Sequence, residues 1–323
     1  MLEVAFEWLV LLLVDKWGRE LRNLRISVTS SCNYHCIYCH REGLVNDGYG
    51  LLAEEYKAIA YVATSLGIRE FKITGGEPLI RKDILEIVKA ISDHKPNDLS
   101  MTTNGYWLEL YAEKLAEAGL KRVNVSVPSL NRERYKYVTG LDALDKVLRG
   151  LKTALDAGLN PVTINVVVLN GVNDNEYKDF IELASSHGYR LRFIELEPIS
   201  VPNTVFKKLY KPLNNITKYL EEVAVRKYFR DLHHRPVYIL DVGTEVEVVK
   251  WLHNAEFCMH CNRIRLTANG ILLPCIMSTK GIDLKPFLKP YIDLDGIRKA
   301  FIAVNELRHP FNTPYSKQFL ANS

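Results

Sequence analysis

The stretch Leu24-Arg-Ile-Ser-Val-Thr-Ser-Ser-Cys32-Asn-Tyr-His-Cys36-Ile-Tyr-Cys39 contains both a strand signal and a metal-binding signal. Arg25–Thr29 reads as a β-strand, and a C-x3-C-x2-C loop follows it directly. In a parallel barrel, the loops after the strands form the ligand-binding face. Three close thiolates are one short of the four that usually complete a cubane iron–sulfur cluster. One iron is then left open to a ligand. A Cys3His zinc site is the alternative, since His35 and His40 are adjacent.

Outward from this stretch the chain alternates apolar runs with helix-length amphipathic segments. Further strands are expected at Glu70–Thr74, Leu99–Thr103, Arg122–Val127, Val162–Val168 and Arg190–Glu195. Their Ile and Val content suggests strands buried on both faces. Helices are expected at Ala53–Leu66, Lys82–Ser92, Tyr106–Ala118, Ala143–Ala157 and Glu176–His187, with Asn173-Asp174 as cap of the last. Gly67, Gly119, Gly158 and Gly188 follow helices, as left-handed caps do. Six βα units imply an α/β fold, a partial (β/α)6 barrel of TIM-like type. Residues 15–200 are assigned to this core and residues 201–323 to a proline-punctuated C-terminal α+β domain. Within it, Asn269-Gly270 between two apolar runs signals a hairpin.

The chain has six cysteines, and the remaining three form C-x2-C-x13-C: Cys258, Cys261 and Cys275. A second open cluster or a half zinc ribbon, with His253 or His260 as fourth ligand, fits that spacing. Arg263 and Arg265 alternate with Ile264 and Leu266, so both guanidiniums should share one strand face. Forked cations beside a metal site suit an oligophosphate, although a solvated basic edge is the simpler reading. Thr74-Gly75-Gly76-Glu77-Pro78 follows the second strand and should face the first cysteine loop. Bare backbone followed by a carboxylate suits the α-amino group of a ligand on the open iron.

With 47% apolar residues, 25% charged residues and a net charge of +4, the 323-residue chain can build a large core. So mild a charge gives little support to nucleic-acid binding. Clustered cysteines suggest a reduced, cytoplasmic protein. Residues 1–14 form an N-terminal extension whose apolar run, Trp8–Val14, is far shorter than the roughly 18 residues of a membrane span. It reads as a buried helical turn, or as sequence upstream of a true start near Leu13.

The C-x3-C-x2-C loop with Gly-Gly-Glu-Pro resembles the radical S-adenosylmethionine (radical SAM) superfamily. That resemblance implies a [4Fe–4S] cluster on Cys32, Cys36 and Cys39 whose open iron is chelated by S-adenosylmethionine. Reductive cleavage would release a 5′-deoxyadenosyl radical. By the same resemblance, Tyr38, Gly76, Ser126 and Glu197 are the S-adenosylmethionine contacts.

Together with Cys261-Asn-Arg-Ile-Arg-Leu-Thr, Leu99-Ser-Met-Thr-Thr-Asn-Gly and Arg192-Phe-Ile-Glu195, the chain is similar to the GTP 3′,8-cyclase family of molybdenum cofactor biosynthesis. This implies a lyase with a second [4Fe–4S] cluster on Cys258, Cys261 and Cys275. GTP would be held by Arg25, Lys72, Thr102, Thr163, Arg263, Ile264 and Arg265, with no catalytic side chain beyond the cluster ligands. The radical would take the ribose C3′ hydrogen, and C3′ would then attack guanine C8. The implied partners are GTP, a low-potential electron donor and cyclic pyranopterin monophosphate synthase as acceptor of the product. No nucleic acid or membrane partner is expected, and a homodimer is admitted. A radical SAM enzyme that modifies a peptide is the alternative. Several positions depart from the family pattern. Lys72 stands for an arginine, Thr163 for a phosphate-binding lysine and Glu197 for a methionine, and the terminus Leu320–Ser323 lacks Gly-Gly.

Overall fold

The computed structural model describes residues 12–41, 50–252, 254–278 and 280–310. Most of the N-terminal extension, His253 and the Leu320–Ser323 terminus lie outside these residues. Six parallel strands come first: β1 (Asn23–Ser27), β2 (Glu70–Thr74), β3 (Asp98–Thr103), β4 (Arg122–Ser126), β5 (Val162–Val168) and β6 (Arg190–Glu195). Helices α1 (Ala53–Ser65), α2 (Ile84–Ser92), α3 (Leu108–Glu117), α4 (Arg132–Thr139), α5 (Leu144–Asp156) and α6 (Tyr177–His187) connect them. The partial barrel expected from the sequence is therefore present. Helix α4 was not expected. The four helix-following glycines all take positive φ.

Beyond β6 come α7 (Asn203–Leu209), α8 (Asn214–Val223), β7 (Ala224–Phe229), β8 (Pro236–Leu240) and β9 (Glu245–Val249). Then follow α9 (Ala255–Met259), β10 (Arg263–Leu266), β11 (Ile271–Leu273), β12 (Ile282–Asp283) and α10 (Leu294–Glu306). These C-terminal strands continue the barrel sheet rather than forming a sheet of their own. Strand β10 pairs in parallel with β1, and β9 pairs in parallel with β6. The resulting twelve-stranded order is β12-β11-β10-β1-β2-β3-β4-β5-β6-β9-β8-β7. The hairpin at Asn269-Gly270 joins β10 to β11, as its sequence predicts.

Alternation along the strands decides which side chains pack and which line the lumen. Leu24, Ile26, Phe71, Ile73, Leu99, Met101, Val123 and Val125 are buried against the helices in one large core. Each such burial contributes about 1.5–3 kcal/mol. The other face is polar and carries Arg25, Lys72, Ser100, Asn124, Asn165 and Arg192. The expectation of strands apolar on both faces is thus corrected, because the inner face lines a cavity. Asn173 also departs from its expected role. It does not cap α6, whose N-cap is Glu176; its side chain stitches Leu169, Pro128 and Val167 together.

Candidate active site

The first cysteine loop leaves the C-terminal end of β1 and is pinned by α4. His35 and Ile37 donate backbone N–H groups to Thr139 and Val138 at 3.0 Å, and the Tyr34 and Tyr135 hydroxyls meet at 3.0 Å. A small apolar cluster around Val138, Leu169 and Leu196 backs Ile37 and Tyr38. Cys39 donates its N–H to the Cys36 carbonyl, closing a tight turn. The sulfurs of Cys32 and Cys39 accept N–H groups of Tyr34 and Arg41 at 3.4 Å, contacts that stabilise thiolate charge. Burial, and then the neighbouring thiols, push the Cys36 thiol well above its usual range.

The Gly75-Gly76 turn is stitched to this loop. Gly76 N–H donates to Thr29 O at 2.7 Å, and Glu77 N–H donates to Ser31 O at 2.8 Å. The approach admits no side chain, since a Cβ on Gly76 would lie 2.1 Å from the Ser31 carbonyl oxygen. The expected role of Glu77 is corrected by its position. Its carboxylate is buried and already occupied, accepting from Leu79 N, Thr103 Oγ1 and Asn104 N at 3.0, 2.7 and 2.7 Å. It locks β3 to the turn and does not line the cavity.

Burial raises the Glu77 pKa to about 7, against the pull of its three donors. A raised carboxyl favours the fold at low pH, and that contribution is lost as pH rises through about 7. Glu77→Gln replaces one acceptor oxygen by an amide and is expected to cost about 1–3 kcal/mol. Urea unfolding between pH 5 and 8 checks both points, because wild type should lose more stability than the variant as pH rises.

The second triad occupies the other end of the strands. Cys258 and Cys261 precede β10, which runs parallel to β1, and Cys275 follows the antiparallel β11. All six cysteines therefore line one cavity of about 580 Å³, three at each end of the lumen. His260, the candidate ligand among the described residues, lies with its Nδ1 3.0 Å from the Glu256 carbonyl.

The lumen between the triads is cationic. Register places Arg265, Arg25 and Lys72 side by side on β10, β1 and β2. Like charges abreast on neighbouring strands destabilise a sheet unless an anion joins them. Burial, and then Arg122, Arg192, Arg263 and Arg25, hold Lys72 well below its ordinary pKa. Arg263 donates to Asn23 at 2.7 Å.

Tyr38, Gly76, Ser126, Glu197, Arg25, Lys72, Thr102, Arg263 and Arg265 all line the cavity. Two expected residues do not. Ile264 points to the opposite strand face and is fully buried in the core. Thr163 is buried in a separate small pocket with Arg122, Arg190, Arg192 and Glu247.

The sequence reading missed Arg192 and Arg235, which also line the cavity. Both bind Glu247, at 2.7 and 2.8 Å, and Arg230 approaches it at 3.4 Å. Burial would raise the pKa of Glu247, but the three guanidiniums hold it well below the usual carboxylate range. Arg192 opens the Arg192-Phe-Ile-Glu195 motif. Arg235 is brought in only by the pairing of β8 with β9, which no local pattern reveals.

An open-ended cysteine loop after the first barrel strand, stitched to a glycine turn and facing an enclosed lumen, defines a radical SAM enzyme. Residues 26–184 match the radical SAM superfamily model, and residues 189–313 match the Molybdenum Cofactor Synthesis C model. The chain belongs to the GTP 3′,8-cyclase family. It is 45% identical over 312 residues to a probable GTP 3′,8-cyclase of Pyrococcus horikoshii, covering 94% of this chain and all of that one. A probable GTP 3′,8-cyclase of Saccharolobus islandicus is 41% identical over 304 residues, covering 92% of this chain and 98% of its own. In fold, the chain is similar to Streptococcus suis SuiB bound to the precursor peptide SuiA. The TM-score is 0.65 at 17% identity, covering 89% of this chain and 68% of that one. Among the described residues, no helix is long and apolar enough to cross a membrane.

Proposed function

We infer that this chain cyclises GTP to (8S)-3′,8-cyclo-7,8-dihydroguanosine 5′-triphosphate, the first step of molybdenum cofactor biosynthesis. The observation that carries this reading is the row Arg265–Arg25–Lys72 in a lumen closed by a cysteine triad at each end. Two [4Fe–4S] clusters and S-adenosylmethionine fit this chain's donors: three thiols at each end and a bare backbone at Gly75-Gly76. With one electron from a low-potential reductant, S-adenosylmethionine on a cluster held by Cys32, Cys36 and Cys39 would supply a 5′-deoxyadenosyl radical for hydrogen abstraction at ribose C3′, while a cluster on Cys258, Cys261 and Cys275 would hold GTP for bonding of C3′ to guanine C8.

The protein's own part is orientation, which converts two encounters into one fixed geometry. Tyr38, Gly76, Ser126 and Glu197 are assigned to S-adenosylmethionine. Arg25, Lys72, Thr102, Arg263 and Arg265 are assigned to GTP, with Arg192 and Arg235 added to that set. Forked guanidiniums match phosphate oxygens in pairs. Thr163 and the side chain of Ile264 are left out of it. Arg192 and Arg235 supply cations to the lumen in place of the lysine missing at Thr163. A low-potential reductant, transfer of product to cyclic pyranopterin monophosphate synthase and a cytoplasmic location complete the reading.

Anaerobic incubation with GTP, S-adenosylmethionine and dithionite tests it. A cyclised guanosine triphosphate should form together with 5′-deoxyadenosine. Release of 5′-deoxyadenosine at one rate with and without GTP would refute the substrate assignment.

A further inference from the structure

Asp15 and Arg19, four residues apart, meet the sequence-distant Arg308 behind the second triad. Asp15 is fully enclosed, with Arg308 at 2% and Arg19 at 8% side-chain exposure. Arg19 donates through Nη1 to the Cys258 carbonyl at 2.7 Å and through Nη2 to the His309 carbonyl at 2.8 Å. Arg308 donates through Nη2 to the Cys261 carbonyl. Asp15 orients both. It accepts Arg19 N and Nε at 2.9 and 2.7 Å and Trp17 N at 3.0 Å, and it lies 3.3 Å from Arg308 Nη1. Trp17 Nε1 in turn donates to the Arg308 carbonyl at 3.2 Å. Both arginines also line the cavity.

A buried arginine is expensive unless its charge does something that a packed hydrophobe cannot. Here two guanidiniums face one carboxylate, so a net positive charge stays beside two cysteines of one triad. We propose that Arg308 and Arg19, aligned by Asp15, are positioning residues that fix the second cysteine loop and raise the reduction potential of the cluster it holds. The inference rests on the two-cluster reading above. Local positive charge favours the reduced, more negative cluster, and carbonyl contacts to adjacent ligands fix where their sulfurs sit.

Redox titration of reconstituted holoenzyme, followed by electron paramagnetic resonance, tests this. Arg308→Met should shift the second cluster's potential negative and leave the first cluster's signal unchanged. Asp15→Asn removes the compensating negative charge and should shift the same potential positive. Arg308→Lys should restore most of the potential but not the wild-type line shape. Shifts of one sign in both variants would indicate general loosening and overturn the proposal, as would no shift. If Arg308→Met does not fold, the sign of the shift in Asp15→Asn decides alone. Wild-type protein with about four irons instead of about eight would refute the second cluster itself. About eight irons with unmoved potentials would refute only the clamp.

Discussion

Cys275→Ala is expected to leave about half of the iron and to abolish cyclised product, while 5′-deoxyadenosine is still released. The reason is the placement of the two triads at opposite ends of one lumen. Everything that holds the first loop is on its own end: α4, the Tyr34–Tyr135 contact and the Gly75-Gly76 turn. Removing a thiol after β11 disturbs none of these. The converse variant, Cys36→Ala, should lose the other half of the iron and all 5′-deoxyadenosine. Iron per chain and chromatography of both nucleosides measure the split. Equal loss of 5′-deoxyadenosine in both variants would contradict two separately supported sites. Cyclised product from Cys275→Ala given GTP would remove the second triad from the reaction.

Gly76→Ala is expected to lower 5′-deoxyadenosine release by about 100-fold with the second cluster intact. A Cβ there meets Ser31 O at 2.1 Å, Ser31 C at 2.5 Å and Ser30 O at 2.7 Å, all of them backbone atoms. No rotamer relieves such a clash, so the chain just before Cys32 must move by about an ångström. A shift of that size in a reacting group costs on the order of 10²-fold. The same movement breaks the bonds of Gly76 and Glu77 to Thr29 and Ser31. Overpacking of this kind costs about 1–3 kcal/mol, so the variant should fold. Iron content, the first cluster's spectrum and nucleoside release together check the result. Normal release would mean that the turn does not set the first loop.

Much of this was legible in the sequence because local periodicity and the barrel's connectivity agree. Strands β2, β5 and β6 begin and end where their residue patterns place them, and the cysteine spacing by itself marks both triads. What stayed hidden depends on pairing between distant segments. Helix α4 lacks a strong apolar stripe, yet its last turn carries the first cysteine loop. Glu77 looked like a ligand because a carboxylate beside a glycine turn has two uses, and only its three buried donors decide between them. Arg235 and Arg308 belong to the site through strand and helix placements set more than 200 residues after β1. Thr163 looked like a deficit because the arginines around it come from other strands.

The pairing of β10 with β1 has a consequence for how the protein is made. Roughly 240 residues separate these neighbours in the sheet. At about 5–20 residues per second on the ribosome, β1 waits on the order of 10–50 s with one edge uncovered. An open strand edge is a template for pairing with another chain, and this one begins with Asn23 and Arg25 instead of apolar residues at its inward positions. During the wait, the first cysteine loop and its α4 support are already synthesised, whereas Cys258, Cys261 and Cys275 are not. The two ends of the lumen are thus completed at different times. The end that carries Cys32, Cys36 and Cys39 comes first, and the end that carries Cys258, Cys261 and Cys275 appears only when the last strands close the sheet.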